Sequence, residues 1–285
     1  MVDLEHPLAI KIRKQTVQAI ATYKLIEEGD RLMVCVSGGK DSSILLVLLN
    51  EIRRRAPYDY ELEAVMLDQK QPGFDASVFS QWVADQGIKL TIVERDTYSI
   101  VKEKVTSGVY CSMCSRLRRG ILYDHAVEHG FTKLALGHHR DDLAETLLLN
   151  MFYTGKISAM PPKLKSDDGR NILVRPLSFV AEKDILALAQ AWDIPIMPCN
   201  LCGSQEGLKR KRMKKLLHDL EKEIPHIGVS LLTAMSNIKP SQLMDEKLWN
   251  LTDLKADGLS AASGIDHFTG TGGDSLKSSP FLSLL

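Results

Sequence analysis

Net charge is absent from this chain: 36 lysines and arginines balance 36 aspartates and glutamates across 285 residues. No overall field gathers a polyanion, so contacts with RNA have to come from local patches. Long apolar runs are missing too. No stretch could cross a bilayer, and Met1-Val2-Asp3-Leu4-Glu5-His6 lacks the basic-then-apolar pattern of an export signal. A soluble, cytoplasmic protein with no membrane partner is therefore expected. Cysteines number five, an odd count that argues against a disulfide framework and leaves metal binding or catalysis as the better uses. Aromatic residues are sparse around the basic segments, where no base-stacking platform is evident. No internal repeat is present. The length suffices for a full core but for no more than about two ordinary domains.

What is there is an alternation. Apolar, strand-like runs at 32–36, 62–67, 90–93, 134–136 and 172–174 are separated by helical spacing at 43–54, 76–86, 117–129 and 143–152, after an opening helix over 8–26. Gly87 and Gly130 stand where helices should end. This pattern predicts an α/β fold, a doubly wound and mostly parallel sheet with helical additions at both ends. The expected organisation is a helical segment over 1–27, an α/β domain over 28–198, a helical extension over 199–256 and a disordered tail over 257–285, rich in Gly, Ser and Thr. Open sheets of this kind bind ligands beyond the carboxyl ends of their strands, where the loops at 37–42, 68 and 137–142 would converge.

The first of those loops is a phosphate cradle. Met33–Val36 run into Ser37-Gly38-Gly39-Lys40-Asp41-Ser42 and then into the apolar repeat Ile44, Leu45, Leu46, Leu48, Leu49. Unpaired N–H groups at the helix start point outward, the glycines allow close approach to an anion, and Lys40 adds a mobile positive charge. The common G-x-x-x-x-G-K-[ST] loop needs a further glycine that this stretch does not supply. The compact form resembles the PP-loop of ATP pyrophosphatases, which release pyrophosphate and place AMP on a substrate oxygen. The plainer reading is an ordinary strand-to-helix turn, which Lys-Asp-Ser at the helix start disfavours.

Cys111 and Cys114 present two thiols within reach of one metal, ahead of a helix start that favours thiolates; Cys199 and Cys202 repeat the spacing. Spacing alone leaves zinc and iron–sulfur both open. Cys35, inside an apolar strand, reads as a small buried residue. Gly137-His138-His139-Arg140-Asp141-Asp142 opens a helix, and its aspartates can hold a divalent ion or cap that helix. Asp68 ends a strand and can meet ribose, a metal or only a turn. Arg116, Arg118 and Arg119 follow the first cysteine pair, and the run from Lys209, Arg210, Lys211 and Arg212 to Lys215 follows the second. Each is either a solvated helix face or a contact for the RNA backbone.

Five motifs in this order carry a resemblance: S-G-G-K-D-S at 37–42, L-D-Q-K-Q-P-G at 67–73, C-S-M-C-S-R-L-R-R-G at 111–120, G-H-H-R-D-D at 137–142 and P-C-N-L-C-G-S-Q at 198–205. Together with N-M-F-Y at 150–153 and M-P-P-K-L at 160–164 they resemble the tRNA 2-thiocytidine biosynthesis family, over about residues 26–205. The stretch 98–110 and the tail beyond Asp257 fall outside the likeness. The resemblance implies an ATP- and Mg²⁺-dependent, dimeric enzyme with a [4Fe–4S] cluster that thiolates cytidine 32 of the tRNA anticodon loop, supplied by a sulfur donor such as a cysteine desulfurase. It implies three cluster ligands, Cys111, Cys114 and Cys202, with Cys199 as the alternative third, and one open iron that could hold sulfide. It implies ATP contacts from Ser37, Gly38, Gly39, Lys40, Asp41, Ser42, Asp68, Gly137, His138 and Asp142, and Mg²⁺ on Asp41 with Asp141 or Asp142. Arg116, Arg118, Arg119 and Lys209–Arg212 are then tRNA contacts. Two other readings stay open on the residues: the same adenylating core with an amine nucleophile, as in lysidine formation, and a zinc-containing RNA-binding module without turnover.

Overall fold

In the computed structural model of the protein, residues 2–104, 110–197 and 205–254 are described; Cys199, Cys202 and the segment 257–285 lie outside them. The chain runs through α1 (Pro7–Tyr23), β1 (Arg31–Val36), α2 (Lys40–Arg55), β2 (Glu61–Asp68), α3 (Ser77–Asp85), β3 (Leu90–Glu94), α4 (Thr97–Lys104) and α5 (Tyr110–Glu128). It continues through β4 (Lys133–Ala135), α6 (Arg140–Thr154), β5 (Lys163–Lys165), β6 (Ile172–Val174), α7 (Glu182–Ala191), α8 (Gln205–Glu223) and α9 (Ile227–Met235).

The described strands form one six-stranded sheet in the order β3-β2-β1-β4-β6-β5. All neighbours are parallel except β5, an antiparallel edge strand. Central β1 reads as an almost unbroken apolar run because both its faces are covered. Leu32, Val34 and Val36 face the core built with α1, α2 and α7, while Met33 faces the smaller core under α5 with Val65, Leu134 and Leu173. The two-residue period of a strand sorts alternate side chains into these two layers.

Helix α2 begins three residues earlier than its apolar spacing suggests, with Gly39 as N-cap, so Lys40, Asp41 and Ser42 form its first turn. Three elements were not legible in the alternation. The short α4 lies over part of the 98–110 stretch, β5 is a three-residue edge strand with Leu164 and Lys165 exposed, and α7 is set by burial of Ile185, Leu188 and Ala189 against α1 and α2. Among the described residues no helix is long and apolar enough to cross a membrane.

Leu46 on α2 has no exposed surface. Leu46→Ala is expected to lower unfolding free energy by about 2–5 kcal/mol in a urea titration. Val229→Ala on the exposed side of α9 should stay within about 0.5 kcal/mol of wild type.

Candidate active site

Three loops meet at the carboxyl edge of β1, β2, β4 and β6, and the reason is steric. Gly38 has φ +73°, and a Cβ there would lie 2.7 Å from the Met197 sulfur. The Met197 amide donates to the Gly38 carbonyl at 2.9 Å. Gly137 is closer still to backbone: its Cβ would stand 2.9 Å from the Ser42 nitrogen. Only glycine permits both approaches. The PP-loop is tied internally by Ser42, whose Oγ accepts from the Ser37 amide at 3.1 Å and donates to the Gly39 carbonyl at 3.1 Å.

The cavity so formed is about 820 Å³, within the range of small-molecule sites. Ser37, Gly39, Asp41 and Ser42 form its floor, Gly137, His138 and Asp142 one side, and Arg118, Arg119 and Arg175 another. The α2 N-terminus therefore opens into a space lined by arginines, an arrangement suited to a polyanion.

Two of the expected carboxylates converge. His139 Nε2 lies 3.7 Å from Asp41 Oδ1 and 3.5 Å from Asp142 Oδ2, and both aspartates line the cavity. His139 caps α6 in a reciprocal box with Asp142, whose carboxylate accepts from the His139 amide at 3.1 Å. Asp141 departs from expectation. Its carboxylate accepts the Glu182 amide at 2.7 Å and pairs with Arg140 at 3.3 Å, so it holds the start of α7 and does not line the cavity. Asp68 also stands outside the lining, accepting from the Lys70 amide at 2.7 Å and pairing with its ammonium at 3.1 Å; its neighbour Gln69 takes the wall position.

Lys40 is not among the lining residues and pairs with Asp41 at 2.8 Å and Glu182 at 3.4 Å. Burial lowers its pKa, but those two carboxylates outweigh burial and hold it above the ordinary lysine range. His138 is the opposite case: burial, then the charge of Arg175, pushes it down to about 4, so the ring is neutral at neutral pH. Its Nδ1, Arg118 Nε and Arg175 Nε are buried without a hydrogen-bond partner among the described residues. Arg175, one residue past β6, was missed by motif reading; the strand-end rule could have found it. Glu182 was missed as well, since nothing in the sequence links it to Lys40.

Cys114 is buried on α5, with its Sγ donating to Gln69 Oε1 at 3.1 Å and accepting from Arg118 Nη2 at 3.7 Å. Cys111 belongs to the same helix, one turn earlier. Cys35 forms cavity wall, and burial pushes its thiol up to about 12, which fits the apolar role expected of it. Arg116 is exposed on α5. On α8, Lys209, Arg210, Lys211 and Arg212 are all exposed; Arg210 pairs with the buried Glu145 at 3.6 Å, and Lys214 with Glu182 at 2.6 Å.

A family model described as a PP-loop domain matches residues 8–198. The tRNA-cytidine(32) 2-sulfurtransferase of Bdellovibrio bacteriovorus is 65% identical over 254 residues, covering 89% of this chain and 98% of that protein. The chain belongs to the tRNA-cytidine(32) 2-sulfurtransferase family. Members named alike from Coxiella burnetii and Methylococcus capsulatus are 55% and 51% identical, covering 84% and 91% of this chain and 94% and 90% of theirs. Among solved structures, the U34-tRNA thiolase NcsA from Methanococcus maripaludis with its [4Fe-4S] cluster aligns with a TM-score of 0.64 at 23% identity, over 81% of this chain and 80% of that one. That likeness shows a shared fold between this sulfurtransferase family member and a solved protein.

Two outcomes follow from this geometry. Gly137→Ala should weaken ATP binding by about five- to 150-fold in a calorimetric titration, since the new methyl displaces the first turn of α2 at about 1–3 kcal/mol. Glu145 has its pKa raised from 4.5 to about 7, by burial first and by the charge of Asp142 next. The folded chain then keeps a proton that the unfolded chain has lost, so this group's contribution to stability falls as pH rises between those values. The Tm of Glu145→Gln relative to wild type should therefore shift in the variant's favour as pH rises from 4.5 to about 7.

Proposed function

We propose that this chain is an ATP-dependent sulfurtransferase that converts cytidine 32 of the tRNA anticodon loop to 2-thiocytidine. Oxide is too poor a leaving group to depart from C2 at neutral pH, so O2 must first be activated. The base oxygen attacks the α-phosphorus of ATP, forming an O–P bond as the bond to pyrophosphate breaks. Sulfur then bonds to C2 and the C2–O bond to AMP breaks, with no net change of oxidation state in the base.

The residues divide this work. Ser37, Gly39 and Ser42, with the free amides of the α2 start, bind the departing phosphates. Lys40 leaves Asp41 for phosphate when ATP enters. Asp41 and Asp142, which both line the cavity, are the pair to meet Mg²⁺, an ion that keeps waters and substrate phosphates in its shell. Asp142 replaces Asp141 in this assignment because the Asp141 carboxylate is committed to the Glu182 amide.

One observation carries the sulfur half: Gln69 lines the cavity and also accepts from Cys114, so a buried free thiol stands one side chain from the nucleotide site. Arg118 beside that sulfur suits a thiolate ligand. Cys111, Cys114 and Cys202, or Cys199 in its place, would hold a [4Fe–4S] cluster, a group that NcsA on the same fold is described with. When bound, the cluster supplies the sulfur that replaces the activated oxygen. A cytoplasmic homodimer served by a cysteine desulfurase completes the proposal.

The test combines two variants, purified anaerobically, with nucleoside mass spectrometry of tRNA. Lys40→Ala should lose both tRNA-dependent pyrophosphate release and 2-thiocytidine while keeping iron–sulfur absorbance. Cys114→Ser should lose the absorbance and the thiolated product. Cluster loss in Lys40→Ala would overturn the division of labour, and tRNA without 2-thiocytidine after reaction with loaded wild-type protein would overturn the function itself.

A further inference from the structure

The end of α6 carries a feature that the adenylation and sulfur sites leave unused. Every residue from Met151 to Ser158 is exposed, with Phe152 at 58% and Tyr153 at 43%. Among the described residues, only Trp249 joins them as an aromatic side chain this open. Exposed rings side by side at a helix end cost hydration and mark an interaction surface.

Charge selects the partner. Lys209 of α8 sits 4.7 Å from the centre of the Tyr153 ring, and Lys156, Lys211 and Arg212 are exposed nearby in chain. No Asp or Glu occurs between Thr146 and Ser166, nor between Lys209 and Lys215. Two exposed rings, one with Lys209 against it and neither with an acidic residue in its own stretch of sequence, match a chain of flat bases joined by phosphates, because stacking serves the base and the lysine serves the backbone.

Position connects this platform to the cavity. The α6 start bears Asp142 in the cavity wall, and the chain after α6 turns back at Gly155. Asn150 holds that return by donating to the Ser158 carbonyl at 2.8 Å, and the next residues, Ala159, Met160 and Pro161, line the cavity. The platform therefore lies on a helix and a return segment that both carry cavity-lining residues.

We propose that Phe152 and Tyr153, with Lys209, form a stacking platform for an unpaired base of the anticodon loop outside the reacting one. This rests on the tRNA-modifying function above and adds the device by which a single-stranded loop is preferred over duplex. Phe152 and Tyr153 act as positioning residues.

Full-length protein would be titrated with an anticodon stem-loop carrying 2-aminopurine in its loop, and with the same RNA closed into a duplex. Phe152→Ala and Phe152→Leu should each weaken loop binding by about five- to hundredfold and abolish quenching of the aminopurine, leaving duplex binding unchanged. Phe152→Trp should retain both binding and quenching. The expected kinetic change is a higher KM for tRNA with the KM for ATP unmoved. Wild-type affinity and quenching in Phe152→Leu would overturn the platform while the sulfurtransferase reading stands, as would variants that alter only the oligomeric state in sedimentation. Failure of wild-type protein to bind or thiolate tRNA would overturn both.

Discussion

Gly137 stands so close to the first turn of α2 that no side chain fits between them, and the rest of the site depends on that approach. It brings the β4–α6 loop onto the PP-loop, so that Asp142 and Asp41 face the same imidazole. A parallel sheet makes the contact available, because adjacent strands end on the same edge and each delivers its following loop there. The α2 amides, two carboxylates and an arginine-lined wall then share one cavity.

Charge pairing also explains how α8 is seated. Arg210 and Lys214, four residues apart on one face, meet Glu145 and Glu182, and Glu182 is shared with Lys40 of the PP-loop. Burial and the nearby Asp142 charge raise the Glu145 pKa, whereas Lys214 and Lys40 overcome burial to keep Glu182 below the usual carboxylate value. Part of the basic run is therefore paired with this chain's own carboxylates, and Lys209, Lys211 and Arg212 remain for an outside polyanion. Removing phosphate-seeking cations from one side of the helix gives it a direction.

Legibility followed range in sequence. The PP-loop, the GHHRDD turn and the parallel order were readable because each is a local pattern: strand, glycines, then a helix with apolar residues at period 3.6. Asp141 against Asp142 was not readable, since adjacent residues on a helix start differ by about 100° in direction and only the position of α7 decides which one is taken. Asp68 and Gln69 pose the same problem at the end of a strand, where neighbours point to opposite faces. Glu182, Arg175 and Met197 reach the site from parts of the chain that share no motif with it.

By itself the sequence determined the alternating α/β architecture, the nucleotide loop and the family, because backbone preferences and glycine requirements are written in neighbouring residues. Tertiary structure alone decided which carboxylates face the cavity, which of them hold Lys40, and how a helix poor in aromatics gains rings from another. Aromatic residues are sparse around the basic run, yet Tyr153 lies against Lys209. The two come together only when α6 and α8 pack side by side, and a contact between residues 56 apart in number has no local pattern to announce it.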